Sequence, residues 1–450
     1  MKKLIAKYLR KLYSQKLVDK DDAVFIALDA DLFSNKALKN EALELSRIFE
    51  VMNINSLLFA EPAEPYRSII SELTANGHLN QILTKYYENV QSVSLNSSEG
   101  GLLNKIIPMD CETRTFFHDI PVVEDFTYAV IAGALSRRKS AIIKDKGIIT
   151  YGTVTPEQAY VSYSSVCFSA FVKYFFDALL YFEYCSVNKI PPDDNFLNSF
   201  KRVARYAEND SLNRFDIKNP AAKSIDNLKT FCKKGYSFSP VIAKKPEDEY
   251  EVLRSLEETG KAVVGLRLVD SYFGNISYVF QENIFISQTG SSLDELEGCI
   301  DKVPLDGSSS VGITSSSELS THRRIYFNTG HNAILHAHPR FSVIMSMNCP
   351  LNDCPHFTTR RMCHEDCKQK RYISGIPIVS GEVGTGRTGI VNTVPLAIKE
   401  AGGVIIYGHG VFTSGTDDFS IPLSLLLDIE RMCQDEYFKR IYGYITRHLY

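Results

Sequence analysis

The chain has 450 residues and a net charge of −3, and 23% of its residues are charged. This length allows two or three domains with ample hydrophobic cores. The balanced charge creates no overall basic field, so the composition indicates neither nucleic acid nor a membrane as a partner.

The first residues predict a basic amphipathic helix, since apolar side chains recur at helical spacing from Leu4 to Tyr13 with lysines and one arginine among them. Such a helix can bind a membrane surface, but docking on the first domain is the simpler interpretation. No long apolar segment follows the N-terminal lysines, so no secretory signal is predicted. With ten cysteines as well, we expect a cytoplasmic protein whose thiols are reduced or bind metal.

The first half of the chain then predicts a strand at residues 23–28 and a helix at 42–52. Residues 161–185 are rich in aromatic side chains but contain Lys173, Asp177 and Glu183, which favours a packed helix over a membrane span. A proline pair at 191–192 ends this pattern, and the polar, lysine-rich segment 199–245 is typical of a helical connector.

The second half predicts a helix at 247–259, a strand at 261–269 and a turn at 271–277 that leads into the next strand. A short strand at 284–286 would bring Thr289 and Gly290 to the same end of the sheet.

Two histidines two residues apart, His336 and His338, end an apolar run at 332–337. If this run is a strand, both side chains lie on one face, because strand side chains repeat every two residues. A third histidine, His409, follows a predicted strand at 404–407 and stands between Gly408 and Gly410, which permit close backbone approach. Three histidines with one open position are a pattern of catalytic zinc.

The neighbouring polar residues suggest what such a zinc ion could do. Glu318 follows a serine pair and is placed for proton transfer. Neutral donors for an anion such as phosphate come from glycine-exposed amides and from small polar side chains: Gly274, Asn275, Ser277, Thr289, Gly290, Ser316 and Ser317. Each of these residues alone could simply be a cap or a turn former. Together with zinc, they suit reversible cleavage beside a carbonyl group.

From about residue 247 to residue 450, the chain resembles the class II aldolase/adducin family. The resemblance rests on five motifs in the family's order: Gly274-Asn275-Ile276-Ser277, Thr289-Gly290, Ser316-Ser317-Glu318, His336-Ala337-His338-Pro339 and Gly408-His409-Gly410. It implies an α/β fold with three layers (α-β-α) around a central, mostly antiparallel sheet. It also implies a zinc-dependent lyase that cleaves a phosphorylated sugar or a similar hydroxy-carbonyl compound.

The resemblance further implies roles for single residues. The three histidines would bind zinc, Glu318 would be the acid/base, and residues matching Asn275, Thr289, Ser316 and Ser317 would hold the phosphate. Related epimerases generally have aspartate at the position of Glu318, which favours aldolase chemistry. Epimerase, decarboxylase and dehydratase activities stay open, as does a non-catalytic, adducin-like binding module. Gln288 is a departure, because many relatives have proline there.

The first half resembles the second. Residues 55–62 align with 332–339 without gaps, Glu41 falls on Glu318, and 120–123 and 146–153 echo 376–379 and 409–416. We interpret this as an internal duplication whose first copy has lost the ligands, because Phe59, Glu61 and Lys146 replace the histidines. Chance similarity of two α/β segments is the alternative. In place of the metal, we expect an ion pair between the ammonium group of Lys146 and the carboxylate of Glu61.

This interpretation predicts three regions: a degenerate aldolase-like domain (1–190), a helical connector (191–245) and a catalytic domain (246–450). Class II aldolases assemble as rings, so the resemblance also implies a homo-oligomer, here a dimer of fused pairs with pseudo-fourfold symmetry.

Two further motifs lie between the histidines. Four cysteines, Cys349, Cys354, Cys363 and Cys367, cluster within nineteen residues. They predict a second, structural zinc, with an iron–sulfur cluster as the second choice and a disulfide as the third. The glycines from Gly384 to Gly389 match a dinucleotide-binding fingerprint in letters, but the acidic residue expected about twenty positions later is missing. A flexible loop near the active site is the better interpretation.

Overall fold

A computed structural model describes residues 1–75, 105–208, 236, 238–270, 272–308, 310–349, 367, 370–381, 384 and 386–446. The chain forms two compact units. Unit 1 comprises Met1–Glu208 with Tyr444–Tyr450, and unit 2 comprises Asn209–Gly443. Most of the predicted connector lies outside the described residues.

Unit 1 contains a sheet whose described strands run in the order β2-β1-β3-β7-β6-β5-β4. All neighbours are antiparallel except β5 and β6. The strands are β1 (Val24–Leu28), β2 (Leu32–Ser34), β3 (Ser56–Ala60), β4 (Lys105–Ile106), β5 (Ile120–Val123), β6 (Ser140–Ile143) and β7 (Gly147–Gly152).

The helices of unit 1 include the predicted N-terminal one and a long aromatic one. They are α1 (Lys2–Ser14), α2 (Glu41–Ser46), α3 (Ile48–Val51), α4 (Tyr66–Thr74), α5 (Cys111–Phe117), α6 (Tyr128–Leu135), α7 (Pro156–Asn188) and α8 (Asp194–Glu208). The helix predicted at 42–52 is therefore two short helices, interrupted at Arg47. Helix α7 is long and apolar enough to cross a membrane, yet 94% of its apolar window is buried inside the protein, as expected for a packed helix.

Unit 2 contains a second sheet, whose described strands run in the order β10-β9-β8-β11-β15-β14-β13-β12. Only β13 and β14 are parallel. The strands are β8 (Asn275–Phe280), β9 (Asn283–Ser287), β10 (Ile300–Pro304), β11 (Ala333–Ala337), β12 (Arg371–Ile373), β13 (Ile376–Val379), β14 (Gly403–Ile406) and β15 (Gly410–Gly415). This mixed, mostly antiparallel sheet places the strand ends that carry the histidines side by side.

The helices of unit 2 are α9 (Glu249–Gly265), α10 (Leu319–Thr329), α11 (Arg340–Met347), α12 (Ile390–Ala401) and α13, which begins in this unit (Ser420–Thr446). Helices α10 and α12 share a core with the sheet through residues such as Ile325, Val394 and Phe412.

The strand predicted at 261–269 is wrong, because α9 continues to Gly265. Val263 and Val264 suggested a strand by their β-branched side chains. They extend instead the buried face that begins with Val252 and Leu256 at helical spacing. Gly260 lies on this face, and a Cβ atom there would be 2.0 Å from Leu293 O. The helix therefore packs closely against the loop between β9 and β10.

The two sheets share strand order and pairing register over seven strands. Phe59 in β3 pairs with Val24 and Ile149, and His336 in β11 pairs with Asn275 and Phe412. The pairings between β6 and β7 repeat between β14 and β15, with Ile143 opposite Gly147 and Ile406 opposite Gly410. The positions that align in sequence are thus also equivalent in each sheet.

Candidate metal centre

Three buried histidines lie at the ends of neighbouring strands. His336 is in β11, His338 directly follows that strand, and His409 lies in the turn between β14 and β15. Each is only 2% exposed. Because β11 pairs with β15, the end of β11 and the start of β15 bring the two sequence motifs together.

The ring nitrogens converge on one point. The possible ligand atoms lie within 4.8 Å of one another, and Nε2 of His336 is 3.0 Å from Nε2 of His338. The Nδ1 atom of His336 is 3.1 Å from the carbonyl oxygen of Val411. A carbonyl only accepts hydrogen bonds, so Nδ1 carries the proton and Nε2 presents its lone pair to the cluster.

This donor set fits a zinc ion. Burial lowers the pKa of His338 well below its ordinary value, and the neighbouring His336 and His409 lower it further. The ring is therefore neutral at neutral pH, as metal binding requires. Two neutral imidazoles whose Nε2 atoms face each other share at most one proton, whereas a cation would satisfy every lone pair in the cluster.

Aromatic rings and glycines fix the histidines. Phe412 stacks on His336, with ring centroids 4.1 Å apart, and Phe273 stacks on His338 at 5.6 Å. Gly274 has a φ of +102°, and a Cβ atom there would be 2.4 Å from the carbonyl oxygen of His336. Only glycine fits at this position without moving the strand that carries the ligands.

Glu318 lies beside the cluster, at the N-cap of α10. It is 5% exposed. Its two carboxylate oxygens are 3.4 Å from Nε2 of His336 and 3.7 Å from Nε2 of His409. Asn275 pairs with His336 on the neighbouring strand, β8. It donates from Nδ2 to Glu318 Oε2 at 2.7 Å. The predicted acid/base thus lies in contact with the predicted ligands.

Ser277 is placed differently from Asn275. It is fully buried, and its hydroxyl contacts Nδ1 of His322 and the hydroxyl of Tyr326, both on α10. Sequence reasoning missed His322 and Tyr326. The available signal was their spacing, because Glu318, His322 and Tyr326 are four residues apart and share one helix face.

The other predicted anion-binding residues lie in two joined loops. Thr289 binds the backbone at Thr314 and Ser315, through its amide at 3.0 Å and its hydroxyl at 2.8 Å. Ser316 donates its amide to Ser287 O at 3.1 Å and accepts from the amide of Glu318 at 3.3 Å. The side chains of Thr289 and Ser317 are exposed, as is Gly290.

A buried carboxylate that sequence reasoning missed holds these loops together. Asp301 in β10 accepts hydrogen bonds from Gln288, Thr314 and Ser315, at 2.7, 2.7 and 2.9 Å. Gln288, the departure from the family pattern, therefore has a structural partner in this chain.

Helix α11, which follows the His336-Ala337-His338-Pro339 motif, is tied to its surroundings at both ends. Glu430 accepts from the amides of Phe341 and Ser342, each at 2.8 Å, and burial raises the pKa of this carboxyl. Near the other end, Ser346 accepts from the amide of Gly408 at 2.8 Å. The helix thereby links the first histidine motif to the second.

The equivalent positions in unit 1 hold no histidine. Lys146 does form an ion pair, but its partner is Glu41, at 2.7 Å. Glu61 pairs instead with Arg67, at 2.9 Å. The prediction that Lys146 pairs with Glu61 is therefore wrong, because Arg67 on α4 binds the carboxylate of Glu61. Glu41 is the residue that aligns with Glu318.

The two remaining motifs lie partly outside the described residues. Of the four clustered cysteines, Cys349 and Cys367 are half-buried thiols, and Cys354 and Cys363 fall outside, so the second metal stays a prediction. The described part of the glycine motif forms a loop that ends at Gly389, the N-cap of α12.

One family model matches most of the second half of the chain. Residues 254–435 match the family model described as "Class II Aldolase and Adducin N-terminal domain". A search of curated proteins gave no match.

Several solved structures are similar to part of the chain. L-fuculose-1-phosphate aldolase from Thermus thermophilus is 22% identical, with a TM-score of 0.34, and the match covers 43% of this chain and 96% of that one. YgbL from Klebsiella pneumoniae, a candidate aldolase/epimerase/decarboxylase, is 18% identical, with a TM-score of 0.33 and coverage of 41% and 89%. A sugar-phosphate aldolase from Thermotoga maritima is 18% identical, with a TM-score of 0.30 and coverage of 42% and 94%.

Proposed function

Because residues 254–435 belong to the class II aldolase and adducin family, we propose that the protein is a zinc-dependent lyase. Its reaction would be the reversible aldol cleavage of a phosphorylated sugar or a similar hydroxy-carbonyl compound. The observation that carries this proposal is the buried cluster of His336, His338 and His409 with the carboxylate of Glu318 beside it.

The three histidines would hold the zinc ion through their ring nitrogens. When bound there, zinc supplies a Lewis acid that polarises the carbonyl group of the substrate. The protein's part is to keep the ligands oriented, and the hydrogen bond from His336 to Val411 does so for one ring. Burial of all three rings excludes bulk water from the ligand side of the site.

Glu318 is the residue that moves a proton. In the cleavage direction, the hydroxyl group beside the breaking carbon–carbon bond loses its proton, and its carbon becomes a carbonyl. The electron pair of the broken bond passes to the carbon next to the substrate's own carbonyl, which then gains a proton. Glu318 would take up the proton that the hydroxyl group releases and deliver a proton to this carbon, because its carboxylate lies beside the metal ligands. The number of protons is then unchanged over the step.

The exposed loop groups would bind the phosphate. Ser317 offers a hydroxyl, and Gly290 has an open backbone with a φ of +72°. The hydroxyl of Thr289 donates to Ser315 O and would have to turn away from it to reach the phosphate. These donors are neutral, so they bind an anion by direct hydrogen bonds. The buried Asp301 holds both loops in register through Gln288, Thr314 and Ser315.

Other functions within the family remain as alternatives to test: epimerase, decarboxylase or dehydratase activity, and a non-catalytic binding module. A binding module has no need of a buried ligand set with a carboxylate against it, and such a set costs stability to bury. Glutamate at position 318, in place of the epimerases' aspartate, favours cleavage over epimerisation.

The test is metal analysis followed by a screen for aldol cleavage over a panel of ketose and aldose phosphates. We expect one zinc ion per chain at the histidines, loss of cleavage after treatment with a chelator, and recovery when zinc is restored. Full zinc content without cleavage of any panel member, but with epimerisation, decarboxylation or dehydration, would assign the site to that alternative reaction.

For unit 1, we propose that it is a second, degenerate copy of the same three-layer fold. The shared strand order and register of the two sheets support this origin. The equivalent glycines support it as well, since a Cβ atom on Gly147 would be 2.4 Å from Ala60 O and one on Gly410 would be 2.5 Å from Ala337 O.

A further inference from the structure

A chain of buried hydrogen bonds runs from helix α10 to the carboxylate of Glu318. Tyr326 contacts Ser277, Ser277 contacts Nδ1 of His322 at 2.5 Å, and Nε2 of His322 contacts Oδ1 of Asn275. Asn275 then donates from Nδ2 to Glu318 Oε2 at 2.7 Å. All five side chains are buried.

The chemistry of these groups fixes the direction of every bond. A carboxylate only accepts, so Asn275 presents its NH₂ group to Glu318 and its carbonyl oxygen to His322. His322 must then donate from Nε2 and accept at Nδ1, which makes Ser277 the donor to His322. The hydroxyl of Tyr326 completes the chain by donating to Ser277. Burial lowers the pKa of His322 to about 3, in agreement with a neutral ring that has a single proton.

We infer that His322 is a positioning residue: it orients the amide of Asn275 so that the NH₂ group holds Glu318 beside the three histidines. This inference rests on the proposed function of Glu318. His322 does not belong to the metal cluster, which comprises His336, His338 and His409. Its ring lies edge-on against Phe412, with centroids 5.5 Å apart, and Phe412 also stacks on His336. Without the donor on His322, the Asn275 amide is free to rotate and to turn its oxygen toward the carboxylate.

Two substitutions separate this role from simple packing. His322→Gln can place an amide NH₂ near the position of Nε2 and so retain the donor to Asn275. His322→Asn reaches only to the position of Nδ1, so it retains the contact with Ser277 and loses the contact with Asn275. Both variants fill less volume than histidine and introduce an amide, so differences between them report the hydrogen bond.

The first measurement is zinc content and steady-state kinetics of the full chain on the sugar phosphate that the wild type cleaves. We expect both variants to bind one zinc ion. We expect kcat to fall about 10- to 100-fold in His322→Asn and to stay within about threefold of the wild type in His322→Gln. Equal kcat losses in both variants, per zinc-loaded molecule, would overturn the inference.

The second measurement does not depend on activity, so it separates this inference from the proposed function. Nitrogen NMR of histidine-labelled protein, with the His322 signal assigned by its loss in His322→Asn, should show a neutral ring protonated at Nε2. A ring protonated at Nδ1, or a charged ring at neutral pH, would show that Asn275 is not oriented by this donor.

Discussion

Glu318 is the residue on which the proposed chemistry depends most directly. Glu318→Gln keeps the size of the side chain and its contact with Asn275 but removes the group that exchanges a proton. We expect turnover to fall by about 10²–10⁴-fold while zinc remains bound, since the three histidines are unchanged. Kinetics and zinc analysis of the same sample test this. Near-normal turnover would move the acid/base role to another residue.

His409 tests the metal assignment. It is the ligand contributed by the second motif, and the two remaining histidines cannot provide the three protein ligands of a catalytic zinc site. His409→Ala should therefore lose about one equivalent of zinc and all cleavage activity. His331→Ala is the matched control, because His331 lies outside the cluster and bonds to Ser414 at 2.7 Å. Zinc content that is the same in both variants would contradict the assignment.

The three histidines of the candidate metal centre could be brought together from the sequence because their signal is local. His336 and His338 share one short motif, and His409 stands in another with its own glycines. His322 was missed because its partners, Asn275 and Ser277, lie on a strand more than forty positions earlier. The partner of Lys146 depends on the three-dimensional arrangement in the same way, since Glu41 is 105 positions away.

Helix α11 is the element that joins the two histidine motifs. Arg371 donates to Ser346 O at 2.8 Å near its C-terminal end, and Glu430 caps its N-terminal amides. An arginine at the carbonyl end and a carboxylate at the amide end both complement the helix dipole. The orientation of His338, which lies two residues before the helix begins, follows from this fixed position.

Glu430 is therefore expected to stabilise both the fold and the metal site. Glu430→Ala leaves two buried amides and the hydroxyl of Ser342 without their acceptor, which should lower the free energy of unfolding by about 2–5 kcal/mol. Glu436→Ala, on the same helix, removes ion pairs with Lys439 and Arg440 that are partly exposed to solvent, and it should cost less than about 1 kcal/mol. Urea denaturation measures both. Similar losses in the two variants would exclude a special role for the cap.

Elements were predictable where hydrophobic periodicity is unambiguous. Strands β9 and β14 were expected at 284–286 and 404–407, and the structure places them at Asn283–Ser287 and Gly403–Ile406. The segment 261–269 was mistaken for a strand because its valines favour a strand by propensity, whereas the buried face of α9 decides the structure. Tertiary packing outweighs local propensity there.

At the scale of the whole molecule, the two units have a carboxylate at aligned positions, but its partners differ between the units. In unit 2 the carboxylate of Glu318 lies against the imidazoles of His336 and His409. In unit 1 the aligned carboxylate, Glu41, lies against the ammonium of Lys146. A positive side chain thus stands where the metal's charge would be needed. The ion pair is half-exposed, so it contributes little stability by itself.

This view predicts that a zinc site can be restored in unit 1. Phe59 matches His336 in strand register. Glu61 directly follows β3 as His338 follows β11, and Lys146 directly precedes β7 as His409 precedes β15. The variant Phe59→His/Glu61→His/Lys146→His should therefore present three imidazoles to one point. The full-length protein should then bind two zinc ions per chain in place of one. The same change without Phe59→His is the control, because two imidazoles alone should bind zinc far more weakly. A triple variant that keeps its circular dichroism spectrum and still binds a single zinc ion would show that the backbone of unit 1 does not retain the geometry of the metal centre.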